Sequence, residues 1–207
     1  MFGFYLARFT ENESRLRRYS LDRAVLQADL KGRHVSLVGN AHALEHETYG
    51  PEIDSASIVI RINNAPIPDP ASHGTRTDWM AVGIPLTKSL LAYRHPQRVL
   101  WMADRPKRLQ LWLAQDRRFY LNRRSDWQDL HQLLGAPPTT GLMMIRFLEQ
   151  SEAASITIFG FEFRERRLRR RRGSGKHTPH DFAAEKRYID ELIGRNPNIK
   201  LRAMTAS

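Results

Sequence analysis

Short apolar runs, several of them ending on glycine or asparagine, recur along this chain with segments of helical period between them, and that alternation most limits how it can fold. The runs fall at 34–38, 57–63, 77–83, 98–103, 118–121 and 155–160 and are rich in β-branched and aromatic residues. Helical periods occupy 86–93, 105–115, 126–134, 141–153 and 180–194, the last with Phe182, Ala183, Tyr188, Ile189 and Leu192 on one side and Gly194 as its stop. Residues 11–30 are more loosely helical. Strands alternating with helices predict an α/β fold: a single Rossmann-like domain whose mostly parallel sheet is flanked by helices. Ligands bind beyond the carboxyl ends of such strands. Chemistry is therefore expected at Gly39-Asn40, Asn63-Asn64 and Gly160-Phe161.

A chain of 207 residues suits one domain. We divide it into a helical segment over 1–32, an α/β core over 33–203 and a basic loop over 164–176. With no cysteine, a disulfide framework and a thiolate metal site are both excluded. No apolar run approaches the roughly 20 residues that span a bilayer, and the aromatic N-terminus lacks the features of a signal peptide. A cytoplasmic protein is expected. The formal net charge of +11 favours polyanionic partners: nucleic acid, anionic lipid, nucleotide-sugars or acidic glycans. Much of it lies in RERRLRRRR at 164–172, which reads as a solvated loop, a patch for the membrane surface or a collector of an acidic acceptor.

Three segments carry candidate chemistry. In VSLVGNAHALEHETYGPEIDSASIVIRINNAP (35–66) a strand runs into Gly39-Asn40 and the next ends at Asn63. Glycine admits close approach of a ligand, and an amide side chain can serve a phosphate or a base edge. One such turn is usually only a turn; two at neighbouring strand ends say more. In Pro137-Pro138-Thr139-Thr140-Gly141 a threonine N-cap opens an apolar helix, and the same cap exposes donors for an anion. In KHTPHDFAAE (176–185), His177 and His180 flank Pro179 at a helix start. Histidine is the natural general base near neutral pH. If His180 precedes the first turn, it and Glu185 can converge on one side. A metal set of His177, His180 and Asp181 fits no strong zinc spacing. His42 and His46 lack the His-Glu-x-x-His order, and surface positions are expected for both.

Together these segments resemble the eukaryotic-type sialyltransferase family. VGNAHALEHETYGPEIDSASIVIRINNAP followed by GTRTDWMAVG resembles its large sialylmotif, PPTTGLMMIRFLEQSEAASITIFGFEF its small one, and HDFAAE its very small one. The resemblance spans about 33–190 and implies the GT-A-like variant fold of sialyltransferases. It implies an inverting, metal-independent transfer of sialic acid, or a related ulosonic acid such as Kdo, from a CMP-sugar to a glycan hydroxyl. The CMP-sugar is a substrate, so no cofactor is expected and no metal site. By the resemblance, Gly39, Asn40, Asn63, Thr139, Thr140, Gly141, Gly160 and Phe161 bind the donor. His180 is the general base, Glu185 supports the helix around it, and His177 takes the phosphate-stabilising place of a further motif that the chain lacks. Animal members are membrane-anchored and join the two larger motifs by a disulfide. With neither feature, this chain resembles a bacterial, cytoplasmic version that builds capsule or lipopolysaccharide. Expected partners are the CMP-activated donor, a glycan or glycolipid acceptor and, at the periphery, an anionic membrane. The competing readings are a basic nucleic-acid-binding domain and a degenerate CMP-binding relative without activity. Nucleic acid ranks lower, because no RNP-like aromatic motif or zinc pattern accompanies the charge.

Overall fold

The computed structural model describes residues 2–64, 66–163 and 180–205. Its strands are β1 (His34–Val38), β2 (Ile58–Ile62), β3 (Trp79–Val82), β4 (Arg98–Trp101), β5 (Phe119–Leu121), β6 (Ser155–Phe159) and β7 (Ile199–Leu201). They form one sheet in the order β5-β4-β3-β2-β1-β6-β7, and every pairing is parallel. The chain winds outward from β1 to β5, then returns to lay β6 on the other side of β1. The switch point is therefore between β1 and β6, where Val38 pairs with Phe159 immediately before the two glycine-bearing turns.

Both faces of the sheet are covered, as a parallel sheet requires. Side chains alternate between them. Leu37, Ile60, Ala81, Leu100, Tyr120 and Ile158 meet the helices Arg23–Leu30, Arg124–Leu134, Thr140–Glu149 and Phe182–Arg195. On the other face Met80, Val82, Val99, Trp101, Phe119 and Leu121 pack with Phe4, Ala7, Leu16, Leu91 and Leu113. Val38, Val59 and Phe159 continue that face against Leu44 and Ile53. The first 32 residues are thus part of the core packing.

Several boundaries differ from expectation. Gly194 does not stop its helix: it lies inside Phe182–Arg195, and the break falls at Asn196, held extended before Pro197. The single helix expected over 105–115 is two short pieces, Pro106–Arg108 and Leu111–Ala114. Between them the Gln110 amide takes both the N–H and the carbonyl of Leu86, which holds the chain extended. The helix expected to reach residue 153 ends at Glu149. Residues 11–30 divide into Glu13–Leu16, a 3-10 turn Arg17–Tyr19 and Arg23–Leu30. The pattern did not reveal the helix Phe2–Phe9 or the edge strand β7.

Candidate active site

At the switch point the backbones of β1 and β6 cross at close range. Gly39 donates to the Phe159 carbonyl at 2.8 Å and Ala41 to the Gly160 carbonyl at 3.0 Å. A Cβ on Gly39 would stand 2.4 Å from the Gly160 oxygen, so only glycine fits. Gly160 itself takes a φ of +67°. The Phe161 ring then lies against both motif glycines: a Cβ on Gly39 would be 2.9 Å from it, and one on Gly141 2.6 Å.

These contacts floor an open cleft of about 210 Å³, smaller than the roughly 300–1,000 Å³ usual for enclosed small-ligand sites. Of the expected residues, Gly39, Asn40, Thr139, Gly141, Gly160, Phe161 and Glu185 line it. Ala41, Ile62, Glu162, Phe163 and Phe182 also line it and were not foreseen. The carboxyl-end rule, carried two residues further past β6, would have found Glu162 and Phe163.

The small and very small motif segments are tied together here. Thr139 is the N-cap of Thr140–Glu149, its hydroxyl accepting from the Leu142 amide at 3.1 Å. Glu185 receives the Thr139 amide at 2.7 Å and the Thr139 hydroxyl at 2.8 Å, one on each carboxylate oxygen. Glu185 is 3% exposed. Burial pushes its carboxyl above the usual range, and the two Thr139 bonds only partly offset this. The carboxylate therefore braces the cap of the neighbouring helix as well as standing in its own. His180 precedes the N-cap Asp181, and its Nδ1 lies 2.7 Å from the Pro137 carbonyl. A carbonyl can only accept, so Nδ1 carries the proton and the neutral ring keeps its lone pair on Nε2. His180 and Glu185 do converge, by gripping one stretch of chain two residues apart.

Asn63 and Thr140 stand beside the cleft. Asn63 adopts a φ of +53°, and its side-chain oxygen accepts from the Gly83 amide at 2.9 Å, leaving the NH₂ as a donor group. The Thr140 hydroxyl would be 2.4 Å from a Cβ on Gly83, so Thr140 packs on that same turn. His42 and His46 are exposed on a 3-10 turn, as expected. His177 and the basic loop at 164–176 lie outside the described residues. Among the described residues, no three His, Cys, Asp or Glu side chains are grouped as metal ligands would be, and no helix is long and apolar enough to cross a membrane.

The model of glycosyltransferase family 29 (sialyltransferase) matches residues 14–99. In fold the chain is similar to a mammalian sialyltransferase, with a TM-score of 0.69 and 18% identity over 96% of this chain and 78% of that one. It is similar also to a mammalian sialyltransferase in complex with Gal-beta-1-3GalNAc-ortho-nitrophenol, with a TM-score of 0.67 and 18% identity over 97% and 84% of the two chains. Against the sialyltransferase CstII from Campylobacter jejuni, in complex with the substrate analogue CMP-3FNeuAc, the TM-score is 0.56 and the identity 14%, over 83% and 80%. No curated protein matches the chain. The resemblance read from the motifs is borne out: the chain is sialyltransferase-like in sequence over 14–99 and in fold over nearly its whole length.

Proposed function

We propose that this protein transfers sialic acid, or a related ulosonic acid such as Kdo, from a CMP-sugar to a glycan hydroxyl, by inversion and without a metal. The observation that carries this reading is His180, its tautomer set by the Pro137 carbonyl, two residues before Phe182, which lines the cleft at the topological switch point. His180 Nε2 takes the acceptor hydroxyl's proton. The freed oxygen bonds to the anomeric carbon as the bond from that carbon to the CMP phosphate oxygen breaks, and the electron pair leaves on CMP. The transition state is oxocarbenium-like, so orientation and charge stabilisation matter most. Gly39, Asn40 and the first amides of Thr140–Glu149 seat the nucleotide and its phosphate. Asn63 adds an amide donor, and Phe161 offers a ring face. His177 is assigned to the phosphate. Glu185 positions the Thr139 cap.

The acceptor is a glycan or glycolipid of bacterial surface polysaccharide, reached from the cytoplasmic side by a protein that touches anionic membrane at its periphery. The net charge of +11 supports that contact. Calorimetric titration with CMP, against UMP and GMP and in the presence of EDTA, tests the reading. Selective, EDTA-insensitive CMP binding, followed by turnover of a CMP-sugar, is expected. A folded sample that ignores CMP yet binds generic RNA in a salt-sensitive way would replace the transferase with the nucleic-acid reading.

A further inference from the structure

The helix Phe2–Phe9 is apolar on two opposite sides, and the fold covers only one. Phe4 and Ala7 are buried against the β3–β5 face of the sheet. Phe2, Tyr5, Leu6 and Phe9 follow the i, i+3, i+4, i+7 spacing of a single helical stripe and point away from that core. Phe2 is 82% exposed and Phe9 81%. Nothing in the fold of the described residues needs two phenylalanines in water at this place.

Cations rim the stripe. The Arg8 guanidinium lies over the Tyr5 ring, 5.1 Å from its centroid, and donates to the Leu109 carbonyl at 3.0 Å. The adjoining turn Pro106–Arg108 exposes Lys107 and Arg108, with Lys107 3.5 Å from Glu11. Beside them Lys88 stands over Trp112, which shares a shallow groove with Tyr5 and Arg8. Aromatic side chains flanked by basic ones are what a helix lying in a bilayer interface presents.

We infer that this stripe is the protein's docking surface for an anionic membrane, with Phe2 and Phe9 entering the headgroup–acyl boundary and Arg8, Lys107 and Arg108 meeting lipid phosphates. A second copy of the chain fits less well. A two-fold contact would bring these cations towards their own counterparts, and four side chains of an eight-residue helix fall well short of the roughly 1,200 Å² a stable interface buries. The segment that follows the helix lines a groove with Ala103, Asp104 and Asn122, beside the carboxyl ends of β4 and β5. The inference specifies the membrane contact of the reading above and stands independently of that reading's chemistry.

The test is sedimentation of the full chain with phosphatidylcholine vesicles, with and without roughly one third phosphatidylglycerol, comparing wild type with a Phe2→Ser/Phe9→Ser variant and with one in which Arg169 to Arg172 are serine. Binding to the anionic vesicles that falls about tenfold or more in the phenylalanine variant, with melting temperature and CMP binding unchanged, is expected. Several results would overturn the inference: no vesicle binding by wild type, equal binding to neutral vesicles, or binding that survives loss of the phenylalanines and disappears with the arginines. So would a wild-type dimer, seen by sedimentation velocity, that is lost in the phenylalanine variant. If CMP does not bind but vesicle binding follows Phe2 and Phe9, the transferase reading fails and the docking surface stands.

Discussion

The two edges of the sheet use buried and half-buried polar groups for opposite ends. At the amino edge, Asp54 receives the Thr75 amide at 2.7 Å, the Thr75 hydroxyl at 2.9 Å and the Arg76 amide at 3.0 Å. Arg61, 1% exposed, donates to the carbonyls of His73 and Arg76 and to the Thr77 hydroxyl. Burial, and the neighbouring Arg94, bring its guanidinium down to about 10, so it stays charged at neutral pH. These bonds lock the loop that leads into β3. At the carboxyl edge, Glu185 also locks a loop, but beside a cleft, and His180 adds only its Nδ1 bond to Pro137. The large motif contributes to both edges: its Gly-x-Glu-Ile-Asp and Gly-x-x-Thr parts, with Arg61, hold structure, while its Gly-Asn turn lines the cleft and Asn63 stands beside it.

Five substitutions would break or sharpen this contrast. His180→Ala should lower turnover about 10²–10⁴-fold in a CMP-sugar transfer assay while leaving CMP affinity and melting temperature close to wild type; a large loss of stability would make His180 a structural residue instead. Arg61→Met, which keeps much of the stem's volume, should cost about 3 kcal/mol in denaturant unfolding, because the His73 and Arg76 carbonyls lose their partner. Gly39→Ala should cost about 1–3 kcal/mol and weaken CMP binding, since the new methyl meets the Gly160 carbonyl backbone, which cannot swing aside.

The smallest effects separate the two edges by pH. Burial alone would raise Asp54, but the bonds from Arg76 and Thr75 outweigh it and hold the carboxyl below its ordinary value. Its stabilisation is present above the ordinary carboxylate range and is lost as pH falls through the lowered value. Glu185 is raised by burial, so its contribution is present below the ordinary range and is lost as pH rises through the raised value. Melting temperatures across the acid range should therefore show Asp54→Asn losing most against wild type at neutral pH and converging with it in acid. Glu185→Gln should do relatively better as pH rises. Parallel pH trends for the two variants would show that the edges do not differ in this way.

How far the site was legible depends on the kind of residue. Gly39, Asn40, Gly141, Gly160 and Phe161 could be named in advance, because strand ends and a helix start are local patterns and the carboxyl-end rule points to them. Glu185, expected to support the helix around it, lines the cleft, and its bonds reach Thr139, 46 residues away, which no period reveals. Phe182 looked only like a core residue, and Glu162 was not singled out. The exposed stripe on Phe2–Phe9 was hidden for a similar reason. An apolar helix with two apolar sides gives no hint of which side the domain covers.

Alternating apolar runs and helical periods were sufficient, from the sequence alone, for the α/β class, the parallel sheet, most strand positions and the residues at the turns that matter, since each follows from short-range backbone and side-chain preferences. The tertiary structure decided the strand order that makes β1 and β6 neighbours, and with it where the cleft opens. It also decided which buried polar groups lock the fold and which keep a free lone pair, and that one side of the N-terminal helix stays in water. These depend on contacts between residues far apart in the chain, whose partners are chosen by packing the whole sheet and not by any local preference.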